Sequence, residues 1–170
     1  MITLSGKIIL RTKHLRIREF TLDDKNRVYQ MSREPGIRRW LPDQVYANIE
    51  EAKGVLEYLI SKYERQGELN KLPYILGIEL ISTNELIGHI GLSPIAEGIE
   101  IGYGIEENKQ GLGYATEAVA KFCPWALKEF DLDCIWGVVN KENKGSIKVL
   151  EKANFKYKKK DNNRLRYIFK

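Results

Sequence analysis

The 170-residue sequence reads as one mixed α/β (α+β) domain spanning 1–170, and three observations carry that reading. Segments with strand-like apolar patterning interchange with segments of helical spacing along the whole chain. The hydrophobic fraction, 43%, is that of a chain able to build a core without disulfides or metal. No internal repeat, low-complexity tract or linker-like stretch divides it.

In order, Leu15, Ile17 and Phe20 interleave with Arg16, Arg18 and Glu19 as a first strand, with Ile8 to Leu10 as a lead-in. Thr21 and Asp24 form a capping pair for a helix that runs to about Ser32 and is stopped by Glu34-Pro35-Gly36. Asn48 with Glu51 caps a longer helix, whose stripe is Ala52, Val55, Leu56, Leu59, Ile60 and Tyr63, ending near Gly67. Tyr74 to Ile81 and Glu85 to Leu92, around Ser82-Thr83-Asn84, predict a hairpin, and Ile99 to Ile105 the next strand. Tyr114 to Phe130 is helical, with a kink or break expected at Pro124. Cys134 to Val139 is a strand, Lys144 to Ala153 a short helix, and Phe155 to Lys159 with Leu165 to Phe169 a closing hairpin. The expected order is β, α, α, β, β, β, α, β, α, β, β.

Composition narrows the function classes. No window approaches the roughly 20 apolar residues of a membrane span, and Met1 to Leu10 has no leader pattern, so a cytoplasmic protein without membrane association is expected. Cys123 and Cys134 lack CxxC spacing and read as free buried thiols; with His14 and His89 they make no ligand spacing, so no metal site is expected. The net charge of +5 gathers at the ends: Lys7, Arg11, Lys13, Arg16 and Arg18 at one, seven cations against Asp161 within 156–170 at the other. Solvated charge on edge strands explains this better than nucleic-acid binding, for which the accompanying aromatic motifs are missing.

The most informative segment is Gln110-Gly111-Leu112-Gly113-Tyr114-Ala115-Thr116-Glu117-Ala118, placed between a predicted strand and a predicted helix. Glycines there let backbone N–H groups approach an anion, and the helix beginning at the turn adds open donors and the positive end of its dipole. GxxxxGK[ST] and GxGxxG are both missing, which weakens nucleoside-triphosphate and NAD readings; plain turn chemistry remains an alternative. A second cluster, Asn143-Lys144-Gly145-Ser146 followed by Leu150-Glu151-Lys152-Ala153-Asn154-Phe155, marks another helix with an N-cap at Asn143.

These residues resemble a known family. Gln110 to Ala115 is similar to the [Gln/Arg]-x-x-Gly-x-[Gly/Ala] signature of GNAT N-acetyltransferases. Thr116-Glu117-Ala118 and the Asn143…Phe155 cluster resemble the branch containing ribosomal-protein N-terminal (alanine) acetyltransferases. Asn154 stands where that branch has glycine, a replacement that keeps access to the left-handed conformation. Leu15 to Arg18 and Ile99 to Tyr103 extend the likeness to nearly the whole chain. The resemblance implies a mostly antiparallel central sheet flanked by helices, and acetyl-CoA as cosubstrate. It also implies direct acetyl transfer, in a ternary complex, to a primary amine that is a protein N-terminus or a small molecule. Pairing of two copies is compatible with it.

The resemblance further implies site roles. Gln110, Gly111, Leu112, Gly113, Tyr114, Ala115 and Thr116 would hold the pyrophosphate, and Tyr103, Gly104 and Ile105 would run beside the cofactor and polarise the thioester. Asn143 would orient cofactor or serine, and Ser146 would protonate the departing thiolate, because the family's tyrosine four residues later is Leu150 here. Glu100 is the expected base, directly or through water, while His89 is the alternative by the near-neutral titration of imidazole; His14 is expected to be a solvated residue of the chain's start. The competing reading is a CoA-binding or interaction module with little turnover. The stretch Pro35 to Ala47, with Arg38, Arg39, Trp40 and Tyr46, is where acceptor choice is expected, for an acidic or aromatic amine, although Trp40-Leu41-Pro42 also reads as a hydrophobic plug.

Overall fold

A computed structural model describes residues 6–170; residues 1–5, part of the stretch where no leader is expected, lie outside it. The described residues place strands β1 (Ile8–Arg11), β2 (Leu15–Arg18), β3 (Tyr74–Leu80), β4 (Glu85–Ile95), β5 (Gly98–Ile105), β6 (Ile135–Asn140), β7 (Lys156–Asp161) and β8 (Arg164–Phe169) in one sheet of order β1-β2-β3-β4-β5-β6-β8-β7. Its helices are α1 (Lys25–Ser32), α2 (Pro35–Trp40), α3 (Ile49–Lys62), α4 (Tyr114–Glu129) and α5 (Lys144–Lys152). Neighbouring strands are antiparallel except β5 and β6, as expected for a mostly antiparallel sheet flanked by helices.

Two apolar layers sandwich the sheet. Ala118, Val119, Phe122 and Ala126 of α4 and Leu150 of α5 pack with Leu15, Ile17, Leu76, Ile90 and Ile101 on one face. On the other, Leu56 of α3 joins Phe20 and Leu86, with Val28 and Met31 of α1 and Ile75 of β3 packed against them. Alternation along each strand, period two, is what delivers side chains to both layers.

Three sequence expectations need correction. The segment from Glu34 to Gly36 ends α1 but does not end helical structure: Pro35 is the first residue of α2, where its missing N–H is one the helix would leave open anyway. Pro124 does not break α4, which is assigned continuously from Tyr114 to Glu129. Burial of Phe122, Cys123 and Ala126 around it outweighs the lost hydrogen bond. The basic start is also not simply solvated edge charge. Arg18 is only 5% exposed, with Nη1 and Nη2 each 2.9 Å from the Asp24 carboxylate and Nε 2.7 Å from Glu79. Arg16 donates to the second Glu79 oxygen at 2.6 Å.

This ion network ties β2 to β3 and to the entrance of α1, where Asp24 also accepts from Thr21 N–H at 2.9 Å. Burial alone would lower the Arg18 pKa, but Asp24 and Glu79 more than offset it and hold the guanidinium above its ordinary value. The far edge does fit the expectation: every residue of β7 is exposed, and its lysines guard an unpaired strand edge.

Arg18→Ala leaves two carboxylates without their partner in a buried site. It is expected to lower unfolding free energy by about 3–5 kcal/mol in urea titrations, and a loss below about 1 kcal/mol would contradict the structural role given to the network.

Candidate active site

β5 and β6 run parallel and meet in register only at Glu100 and Trp136. Beyond that point they part, and Gly102, Tyr103 and Gly104 of β5 face Val138, Val139 and Asn140 of β6 across a cavity of about 580 Å³. The Gln110–Thr116 turn, Asn143 and Ser146 line the same cavity.

The turn is built as its sequence demands. Gly111 and Gly113 have φ of +75° and +86°, a region that side-chain-bearing residues adopt with strain, and a Cβ at either would meet nothing within 4 Å. The N–H groups of Gly111, Leu112, Gly113, Tyr114, Ala115 and Thr116 have no hydrogen-bond partner among the described residues. The first helical bond of α4 runs from Glu117 N–H to Gly113 at 2.9 Å. Six consecutive donors at the positive end of a 16-residue helix can receive an anion through backbone alone.

The side chains of the turn do other work. Gln110 Nε2 donates to Ile105 O at 2.9 Å, fastening the turn to the end of β5, and its own N–H bonds to Glu107. Leu112 points to solvent at 62% exposure and offers the site only its backbone. Glu117 accepts from Thr12 Oγ1 and, at 2.8 Å, from His14 N–H, with His14 Nδ1 also at 2.8 Å. Burial would raise the Glu117 pKa, but the hydrogen bonds from Thr12 and His14 lower it overall. His14 is therefore a tether between the β1–β2 turn and α4, not a merely solvated residue.

On α5, Asn143 Oδ1 accepts from Ser146 N–H at 3.2 Å, the N-cap expected from sequence. Ser146 Oγ lies 2.7 Å from Tyr103 Oη, which also donates to Ser146 O at 3.1 Å. Burial lifts the Tyr103 pKa to about 12, against the lowering effect of its Ser146 bond. Leu150 is 1% exposed beneath Gly137, so no phenol enters from that position. Sequence reasoning placed Tyr103 beside the cofactor and missed its contact with Ser146. The signal available was register: Tyr103 lies on the Ile99–Ile101 face of β5, toward α4 and α5.

Glu100 and His89 occupy the opposite face of the sheet, through the pairs Ser93–Glu100 and His89–Gly104. Glu100 lines the cavity; burial raises its pKa, opposed by Arg164 and Arg166 and assisted by Glu97. His89 does not titrate near neutrality as expected, because burial lowers it to about 4. Its Nε2 is buried with no partner among the described residues. Above Glu100, the Pro35–Ala47 stretch forms a wall through Gly36, Ile37, Trp40, Leu41 and Gln44. Arg38 Nε is bonded to Arg33 O at 3.1 Å, and Arg39 lies 4.3 Å over the Trp40 ring. Tyr46 lines a smaller, adjoining cavity. Both cysteines are free, Cys123 buried and Cys134 partly exposed, and Cys123 is no ready nucleophile because burial pushes its thiol up to about 12.

The profile of the Acetyltransferase (GNAT) domain matches residues 14–156. The chain belongs to the GNAT acetyltransferase family. Over 150 residues this N-acetyltransferase is 30% identical to the uncharacterized N-acetyltransferase YnaD of Bacillus subtilis, covering 86% of this chain and 82% of the relative. In fold it is similar to an acetyltransferase of Agrobacterium tumefaciens, with TM-score 0.77 and 24% identity, covering 100% of this chain and 99% of that one. It is also similar in fold to RimL, a ribosomal L7/L12 alpha-N-protein acetyltransferase solved with coenzyme A, with TM-score 0.76 and 18% identity over 96% and 97% of the two chains. The acetyltransferase has no helix among the described residues that is long and apolar enough to cross a membrane.

Proposed function

We propose that this acetyltransferase acts as a single cytoplasmic domain that moves the acetyl group of acetyl-CoA directly onto a primary amine, with both substrates bound at once. The observation that carries the reading is the run of six open N–H donors at the head of α4, set at the mouth of the gap between β5 and β6. A diphosphate satisfies those donors and meets the helix dipole with the right sign. The RimL structure, solved with coenzyme A, adds support from the same fold. With the diphosphate on residues 111–116, the gap beside Tyr103, Gly104 and Ile105 receives the rest of the cosubstrate, and backbone N–H of β5 polarises the thioester carbonyl.

Glu100 takes the proton that the amine loses, directly or through water, as nitrogen bonds to the acetyl carbon. The carbon–sulfur bond breaks, and the leaving sulfur receives the proton of Ser146 Oγ. Tyr103 Oη, 2.7 Å away, then resupplies Ser146, doing from β5 what a tyrosine at position 150 would have done from α5; solvent returns the proton to Tyr103 and takes the one held by Glu100, which restores the site. Asn143 keeps Ser146 in place by capping its helix. Buried Leu150 favours one second reading, a CoA-binding module with little turnover, which predicts binding without CoA release.

Acetyl-CoA at a hundredfold excess over its dissociation constant is expected to stabilise the protein by about 2.7 kcal/mol, about 5–10 °C in melting temperature. Gly113→Val, which puts a β-branched side chain at positive φ beside the open donors, is expected to fold and to lose that ligand-induced shift. A full shift in Gly113→Val would place the diphosphate elsewhere.

The raised Glu100 pKa also fixes a pH window. Below it Glu100 is protonated and cannot act as base; above the acceptor's own pKa the amine needs none. Glu100→Gln is therefore expected to lower kcat/KM by about 100-fold between those limits and to replace the acid limb set by Glu100 with one set by the acceptor's own pKa. Superimposable profiles across the series would remove Glu100 from the reaction.

A further inference from the structure

A second cavity of about 250 Å³ opens off the first on the α1 and α3 side of the sheet. The two share Ile37, Gln44, Ile75, His89 and Ser93, so one continues into the other. Its remaining walls are mainly apolar: Phe20 from the end of β2, Val28 and Met31 from α1, and Val55, Leu56 and Leu59 from α3. No Asp, Glu, Lys or Arg lines it. Its two titratable groups are uncharged near neutral pH, since burial lowers His89 to about 4 and raises the Tyr46 phenol. Ser32 is already engaged: its Oγ donates to Tyr29 O at 2.7 Å and accepts from Tyr46 N–H at 3.3 Å.

His89 stands at the junction. Its ring lies so close to β5 that a Cβ on Gly104 would come within 2.8 Å of Cε1. Gly104 is one of the β5 residues assigned to the thioester, so a group bonded to the attacking amine has this cavity directly beside it. Such a cavity accepts some substituents and refuses others. An apolar hole of about 150 Å³ takes a benzene ring. A cavity of about 250 Å³ therefore has room for a branched aliphatic or an aromatic side chain. A charged side chain would enter without counter-ion and without enough donors to replace its water.

We infer that the acceptor is an amine carrying an uncharged apolar substituent, aliphatic or aromatic, and that this substituent is seated in the cavity between α1, α3 and the sheet. The inference rests on the proposed acetyl transfer and narrows its acceptor. It departs from the expectation of an acidic acceptor, because Arg38 and Arg39 do not line this cavity. His89 stands at the cavity's entrance with a buried Nε2 that has no partner among the described residues, and the lining offers a carboxylate no cation.

The test measures CoA release from acetyl-CoA with five amines: leucinamide, phenylalaninamide, glycinamide, aspartic acid 1-amide and argininamide. Wild type is expected to show kcat/KM about tenfold or more higher for the leucine and phenylalanine amides than for glycinamide, with the two charged amides lowest. Val55→Phe, which fills the cavity from α3, is expected to bring the apolar amides down to the glycinamide level while keeping the thermal shift with acetyl-CoA. Met31→Ala, which enlarges the cavity, is a second variant should Val55→Phe fail to fold, and is expected to move preference toward phenylalaninamide. Equal turnover of all five amines, or a preference for a charged one, overturns the inference and leaves acetyl transfer standing. Acetyl-CoA binding with no CoA release from any amine overturns the transfer reading and this inference together.

Discussion

The site exists because one pair of strands in this sheet cannot stay together. Antiparallel neighbours joined by hairpins remain paired along their length, as β3 and β4 do over seven residue pairs across one register shift at Ile78 and Glu79, and β4 and β5 over eight without a break. β5 and β6 are parallel, connected through α4, and they share the single register pair Glu100–Trp136. Past Glu100, β5 presents a strand edge to a gap, and the cavity, the approach of α5 and the entrance of α4 are all arranged around that edge.

Two sets of polar contacts keep that arrangement from closing or drifting. Gln110 on Ile105 fixes where the turn leaves β5, and Glu117, held by Thr12 and His14, fixes where α4 starts relative to β1 and β2. Farther away, Arg18 with Asp24 and Glu79 locks the entrance of α1 to the sheet. The donors at residues 111–116 remain open because the neighbouring side chains are occupied elsewhere. These contacts fix the orientation of the polar groups around the site, which is the condition under which they act most strongly on a developing charge.

Much of this was legible in the sequence, for local reasons. Asn48 with Glu51, the Ser82-Thr83-Asn84 turn and the glycines at 111 and 113 each encode their geometry within a few residues, and each adopts it. The features that were not legible depended on partners far along the chain. The Arg18 network joins residues 61 positions apart and the His14–Glu117 contact 103 positions apart, so charge patterning alone assigned both to solvent. Tyr103 and Ser146 lie on elements whose approach depends on the parting of β5 and β6, and neither residue predicts the other. Pro35 stopped α1 where expected, and the helix it begins went unread because the same residue that ends one helix is well suited to begin the next. His89 does not keep the near-neutral titration expected of it, since burial is a property of the finished sheet.

Reception of the cosubstrate's diphosphate by backbone N–H groups at the head of α4 is central to the proposed chemistry. The most direct measurement follows the backbone amide signals of residues 111–116 by ¹H–¹⁵N NMR during titration with coenzyme A and, separately, with pantetheine, which lacks the diphosphate. Coenzyme A is expected to move these amides more than any others in the chain, and pantetheine to leave them in place while perturbing the amides of residues 102–105. Coenzyme A binding that leaves residues 111–116 unmoved would contradict this role for the turn.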